Sequence, residues 1–578
     1  MTFSNTPANS LEASGIGPSS GSAKYRSRLT SLEIWVATVL LFLLLILKWF
    51  YVSNQPWDSD EPQHLHVVWA WANGFLPYKD LFDNHSPLFQ AISAPIFAIF
   101  GERADIVMCM RWAMLPIDLL ILFLLFRLGK SLFSARIGLW GTLIAASFPD
   151  FYFKLGEYRP DLFWAAAWLL ILNLLVGGPL RPRRWFVIGI IIGLAFAVSM
   201  KTTFLLLTLL AGGTVAWLFG HFIPSTKIEG VRPSSQTLLG IVGLVAGATI
   251  IPALVIAFFA GHGALNQLYY CVIIHNLGPS GDQSNLLLAR MRDIRFWLFL
   301  FTLGGGFWWV RQIGDRASGQ RRLFFFAVVG FYCTILFSFW PLISKQDYIP
   351  FFPIASIAIA VPLVIVAEHF YRFLPPFVVP SLVVFGELIW LVSAHPPLKD
   401  TNRKNVQLIA DTLQLTHPGE TVLDAKGQTI FRARPYFFVL EQITRERVEQ
   451  GKLLDDTPQR LIAARTPVVV DSHWLTSATA AFINQNYISV GSLMVLGKRL
   501  PPSENGKIEF EIVIPEKYAI INENGLLAGT LDGNECDGFR ELAPGHHQFV
   551  PNGVTNSLVV LWARAVQRGF SPFRPGQH

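Results

Sequence analysis

"LEIWVATVLLFLLLILKWFYV", residues 32–52, decides the fold class. It carries two charges, Glu33 and Lys48, in a run as long as the ~20 residues that cross a bilayer's hydrocarbon. It is too long for a signal-peptide core and lacks an evident cleavage site, so retention is expected. Working outward, similar runs recur near 105–128, 134–153, 160–178, 184–200, 202–220, 236–260, 294–311, 321–343, 349–370 and 373–394, which makes eleven. The 578-residue chain is 52% hydrophobic and 15% charged, whereas soluble domains carry roughly 25% charged residues. The expected fold is a polytopic α-helical membrane protein with eleven transmembrane helices.

The basic residues set the sidedness. Arg127, Lys130 and Arg136, then Arg181, Arg183 and Arg184, then Lys227 and Arg232, then Arg311, Arg316, Arg321 and Arg322, and finally Arg372 fall in one set of loops. They share a side with a tail over 1–30 that ends in Lys24, Arg26 and Arg28, and that side is expected to be cytoplasmic. The tail's Ser, Gly and Ala content reads as disorder. The net charge of +7 is therefore a topology signal, and no nucleic-acid partner is expected. An odd span count puts the C-terminus outside. The outer loops hold most of the acids but also Lys79, Arg159, Lys201, Arg290, Arg292 and Lys345. An anionic ligand would account for these cations; so would snorkelling to lipid head groups, and for Arg290 and Arg292 anchoring at anionic lipid is the simpler reading.

Beyond residue 395 the composition changes. Residues 31–395 form the transmembrane part and 396–578 an extracytoplasmic soluble domain, with an α/β part over 400–490 and a β module over 505–565. The four cysteines, Cys109, Cys271, Cys333 and Cys536, include no CxxC pair, so neither a zinc knuckle nor a redox motif is supported. Cys271 and Cys536 are both compatible with an oxidising compartment, but sequence does not pair them.

The first outer loop is the most polar stretch of the membrane part: "PWDSDEPQHLHVVWAWANGFLPYKDLFDNHSPL", 56–88. Asp60, with Gln63 three residues on, fits a helix-capping box, and Leu65, Val68, Trp69 and Ala72 share one helical face. With Trp69 and Trp71 suited to the lipid–water boundary, an interfacial helix is expected, followed by a second short one near 86–100. His64 and His66 form an HxH pair, but residues two apart on a helix face different directions. On these residues alone, Asp60 is either an N-cap or a reactive carboxylate. Asp118 and Glu387 lie inside apolar runs, where acids are costly and either functional or locally paired.

The order of these motifs resembles the C-type glycosyltransferases of the membrane, the GT-C superfamily. The likeness is to the dolichyl-phosphate-mannose-protein mannosyltransferase-like and aminoarabinose transferase-like proteins in particular. Asp60-Glu61, Gly74, Pro77-Tyr78 and His85-Ser86-Pro87-Leu88 carry it, with "GEYRPDLF" (Glu157, Asp161) and "SKQDYIPFFPIASIAIA" (Lys345, Tyr348, Pro350, Pro353). It covers roughly residues 30–395. His85 departs from the Lys-Pro of many relatives, and "RPD" from their Thr-Asp.

The resemblance implies a polyprenyl-phosphate-linked sugar as donor, with a glycan, lipid or protein acceptor, in a bacterial inner membrane. Asp60 is then the expected general base, with Glu61 as the second catalytic residue, positioning it or binding sugar, and the displacement inverting. Arg159, Lys201 and Lys345 are expected at the leaving phosphate, and Glu157, Asp161, Tyr348, His85 and Lys79 at the substrates. No cofactor is required, though a divalent metal is compatible. A multi-span transporter, flippase or polymer-handling protein is the alternative, but it would leave the acidic loop and large outer domain unexplained. A sensory scaffold would leave the acids idle.

Overall fold

The computed structural model describes residues 29–220, 235–277, isolated positions between 291 and 306, and 316–340, 343–370, 373–501, 506–553 and 557–573. The N-terminal tail, Arg290, Arg292 and most of the expected 294–311 span lie outside them.

The other ten apolar runs coincide with helices. Six are long and apolar enough to cross a membrane: Ser31–Asn54, Ile106–Leu132, Thr202–Phe219, Leu238–Gly261, Ser318–Phe339 and Phe351–His369. A bent pair, Pro149–Leu155 and Pro160–Val176, makes a seventh if counted as one span. This is an integral membrane protein, with about six spans by length among the described residues. Leu238, Leu239, Val242, Val245 and Leu254 are all exposed, which only hydrocarbon tolerates in such a continuous face.

Small residues let these helices close on one another. Pro182–Val198 packs along Ser235–Gly261. A Cβ at Gly189 would meet the Leu244 carbonyl oxygen at 2.2 Å, and one at Gly247 the Phe186 carbonyl oxygen at 2.4 Å. Small side chains at such crossings substitute close van der Waals packing for the hydrophobic drive that lipid removes. The acids inside apolar runs find local partners: Lys48 lies 3.0 Å from Asp118, and Ser147 donates to Glu387 at 2.6 Å.

The helix Asp60–Ala72 is covered by protein: Glu61 through Ala70 are all buried, because the C-terminal region lies over it. Asp60 is not a cap. Ser59 occupies that position, without a side-chain capping bond, and the Asp60 N–H instead donates to Asp58 Oδ1 at 3.1 Å. The second short helix is Leu88–Phe100.

The C-terminal region is built on one mixed sheet. Val422–Leu423 pairs in parallel with Val468–Val469, which pairs antiparallel with Leu493–Leu500. That strand continues through Leu558–Trp562 and Glu516–Asn522 to Phe539–Leu542. A second sheet of four strands runs Ile508–Ile512, Gly545–Pro551, Gly529–Leu531, Asn534–Cys536. The alternating burial of Ile508–Ile512 is the period-two pattern of a half-covered strand. Cys271 and Cys536 are free and buried in separate cores.

Candidate functional site

Three segments of the membrane part converge beneath the C-terminal region. One is the start of Asp60–Ala72. The second is the break in the bent pair, where Pro160 at the first turn disfavours helix at the residue before it and the two halves turn by 110°. The third is the junction at Lys201, between Pro182–Val198 and Thr202–Gly220. Between them lies a cavity of about 500 Å³ whose lining includes Asp60, His85, Arg159, Asp161, Lys201 and Glu441.

Arg159 is the hub. Its guanidinium lies 3.3 Å from Asp58, 3.3 Å from Asp60, 2.7 Å from Glu157 and 3.2 Å from Asp161. Lys201 bridges Asp347 at 2.5 Å and Asp161 at 3.7 Å, with Trp340 beneath its ammonium at 5.3 Å. His85 Nδ1 donates to the buried Asp83 Oδ1 at 2.9 Å. The loop carrying it is held by Tyr78, which adopts φ +71°, donates its hydroxyl to the His85 carbonyl at 2.7 Å and bonds through its N–H to the Leu81 carbonyl at 2.8 Å. A bulky residue at positive φ is strained and persists only where its surroundings over-determine it.

The ionisation states follow from these partners. Burial pushes the Asp60 carboxyl up, but Lys426 and Arg159 outweigh it and hold it well below the usual carboxylate range. Burial pulls His85 down, yet its bond to Asp83 and the charge of Asp83 raise it above an ordinary imidazole. His64, buried against His85 with rings 4.5 Å apart, is driven well below an ordinary histidine by burial and then by His85.

Of the residues expected at the site, Asp60, His85, Arg159, Asp161 and Lys201 line the cavity. Glu157 stands just behind, bound to Arg159 and Lys154. Four others are elsewhere. Glu61 faces away from the cavity and pairs with the fully buried Arg111 at 2.6 and 2.8 Å, since neighbouring residues on a helix cannot share a face. Lys345 is exposed and pairs with Asp150 at 2.6 Å. Tyr348 stacks on Phe352, and Lys79 is exposed. His64 and His66 point apart, His64 into the cavity and His66 to the Ile430 carbonyl at 2.9 Å. Among the described residues no three His, Cys, Asp or Glu side chains are grouped to hold a metal ion; Arg159 holds the convergent carboxylates.

Sequence reasoning missed three contributors. Asp347 anchors Lys201, and Glu441 enters from the C-terminal region. Lys426, also from that region, reaches Asp60 Oδ1 at 3.0 Å. The only signal for Lys426 was local: a charged "DAKG" turn between apolar residues.

A second cavity of about 930 Å³ opens beside the first and shares Ser86 and Met200 with it. It is lined almost wholly by apolar side chains, among them Ile192, Phe196, Leu244, Ala248, Pro252 and Ile273. The two together form a charged chamber joined to a greasy groove.

The family model for dolichyl-phosphate-mannose-protein mannosyltransferase matches residues 84–252. The structure of ArnT from Cupriavidus metallidurans in the apo state superposes with a TM-score of 0.53 at 13% identity, over 81% of this chain and 98% of that one. The chain is similar in fold to that ArnT. The structure of the same ArnT bound to undecaprenyl phosphate is similar to this chain at a TM-score of 0.54 and 14% identity, over 80% and 97% of the two chains. A comparison with curated protein sequences returned no match. The family-model match spans the part of the chain that contributes His85, Arg159, Asp161 and Lys201, and most of the groove.

Proposed function

We propose that this chain is a glycosyltransferase that moves a sugar from a polyprenyl-phosphate donor to an acceptor hydroxyl at the outer face of the membrane. The observation that carries this reading is the joining of the two cavities at Ser86 and Met200. A charged chamber suits a sugar phosphate, an apolar groove open toward lipid suits a polyprenyl tail, and only an amphiphile with both parts uses both. The similar ArnT structure was solved with undecaprenyl phosphate, which supports the same ligand class.

In this reading the acceptor oxygen forms a bond to the anomeric carbon as the bond from that carbon to the phosphate oxygen breaks. The electron pair leaves with the phosphate, and the acceptor proton passes to Asp60. Lys201, Arg159 and His85 offset the charge that grows on the phosphate, an interaction worth more in the transition state than in the ground state. The two Asp60 oxygens each bond one cation, and a carboxylate with about four lone-pair sites still has capacity to accept a proton. One carboxylate opposite the leaving group suits inversion. Eleven membrane crossings, with the C-terminal region and the chamber outside, complete the proposal.

The test is a dissection of binding. Undecaprenyl phosphate should bind the protein in nanodiscs, while undecaprenol and a short-chain alkyl phosphate should each bind at least tenfold more weakly. Equal binding of undecaprenol would remove the chamber from donor recognition.

A further inference from the structure

We infer that Lys426, supplied by the C-terminal region, is a positioning residue for Asp60, so that the reactive carboxylate is set jointly by the membrane body and the outer region. The inference rests on the reading of Asp60 as the base. It starts from residues 424–431, "DAKGQTIF". Irregular backbone normally stays at the surface, where water satisfies its polar groups. Here Asp424 through Gly427 and Thr429 through Phe431 are buried.

The loop satisfies itself. Asp424 Oδ1 accepts from the Gly427 N–H at 2.5 Å, and Asp424 Oδ2 from the Thr429 N–H at 2.8 Å and the Thr429 hydroxyl at 2.7 Å. It is also fitted to the helix below. Gly427 has φ +83°, and a Cβ there would lie 2.7 Å from His66 Cβ. Ile430, a β-branched residue at φ +57°, turns its carbonyl to His66 Nδ1. Such a conformation is costly for this residue type, so the fit to the helix is specified rather than incidental.

The loop brings one charge to the site. Lys426 is buried, with its ammonium 3.0 Å from Asp60 Oδ1 and 3.3 Å from Ser59 Oγ. Arg159 takes the other oxygen, Oδ2, at 3.3 Å. One contact would leave the carboxylate free to turn about χ2, a soft torsion; two, from opposite sides, fix its plane. The other charged or titratable groups facing this pair are Asp58, His64, His85 and Glu441. Lys426 is the cation that the membrane body does not itself supply.

Removing Lys426 should raise the affinity of Asp60 for its proton, since an adjacent opposite charge moves a carboxylate by about one to three units. A base works above its own pKa, so the acid limb of the rate profile should move to higher pH. The experiment compares full-length wild type, Lys426→Met, Lys426→Gln and Lys426→Arg in nanodiscs. Two readouts are taken: kcat against pH, and carbodiimide labelling of the Asp60 peptide by mass spectrometry. Labelling requires the protonated acid and reads Asp60 whether or not turnover is found. At a fixed pH of about 5, Met and Gln should each raise the labelling rate of the Asp60 peptide at least tenfold, since one unit is a factor of ten in the protonated fraction, and lower kcat at least tenfold, with the donor KM changed less than threefold. Arg should restore both. An unchanged labelling rate in folded Met or Gln protein overturns the inference. Faster labelling with no turnover in the wild type instead rejects the transferase reading and leaves the positioning intact.

Discussion

Asp60 and Glu61 are adjacent carboxylates of the same helix, and replacing each by its amide should produce opposite failures. Glu61 and Arg111 side chains are fully buried. Glu61 Oε1 accepts from Arg111 Nε at 2.8 Å and from the Tyr158 N–H at 2.8 Å. Glu61 Oε2 accepts from Arg111 Nη2 at 2.6 Å and from the Asp58 N–H at 3.1 Å. The same guanidinium donates to the carbonyls of Val52, Gln55 and Pro56. Glu61→Gln leaves that guanidinium buried without a countercharge. Breaking a buried pair by removing one partner costs about 3–5 kcal/mol, a large part of a typical domain's net stability of roughly 5–15 kcal/mol. Asp60→Asn leaves Arg159 three other carboxylates, but takes the countercharge from the buried Lys426. The Asn carbonyl can still accept from that ammonium, so the stability cost of Asp60→Asn should be smaller than that of Glu61→Gln, about 1–3 kcal/mol, the range of a hydrogen bond to a charged group. Its turnover should fall by about two to four orders of magnitude, as for loss of a general base. The assay is thermal unfolding in nanodiscs beside turnover per folded molecule. The reasoning is refuted if Glu61→Gln folds with wild-type stability, or if Asp60→Asn keeps wild-type turnover.

Lys201→Met should raise the donor KM and lower kcat, each by about tenfold, because it removes an ammonium expected to bind phosphate more tightly as charge develops; donor-dependence curves decide it. Lys345→Met should leave those curves within twofold of wild type, its exposed pair with Asp150 being worth at most about 1 kcal/mol. Burial, with Arg434 adding to it, lowers His66 to about 4, while an unfolded histidine titrates near ~6.5. The unfolded chain therefore takes up the proton first. Stability should fall as pH drops from about 6.5 toward 4, by about 3 kcal/mol, and His66→Asn should flatten that slope in unfolding scans across the interval.

The membrane helices were legible because hydrocarbon leaves one solution, a long apolar helix, and composition alone reports it. The chamber was legible in part. Asp60, Arg159 and Lys201 stood out as charges beside apolar runs, where a reason was needed. What composition does not report is direction. Glu61 carries the same charge as Asp60, yet the helical step of about 100° per residue sends it to Arg111 instead. Lys345 and Lys201 both sit at helix junctions, but Asp347 and Asp161 hold only Lys201 toward the chamber. Lys426 was hidden for another reason. Its loop has neither helical nor strand period, and only the tertiary contact with His66 and Asp60 gives it meaning. The same contact explains why Asp60–Ala72 is covered by protein: the C-terminal region lies against it, and Trp71 packs on Phe258 and Phe259.

The most direct measurement follows the label itself. Purified wild type and Asp60→Asn, matched for folded protein, are incubated in nanodiscs with polyprenyl phosphates carrying radiolabelled sugars and with envelope glycan and lipid fractions as acceptors. Wild type should move label from the polyprenyl lipid to an acceptor and Asp60→Asn should move at least a hundredfold less. Label that stays on the donor with wild type across the panel, or leaves it equally fast with both proteins, would contradict transfer at this site.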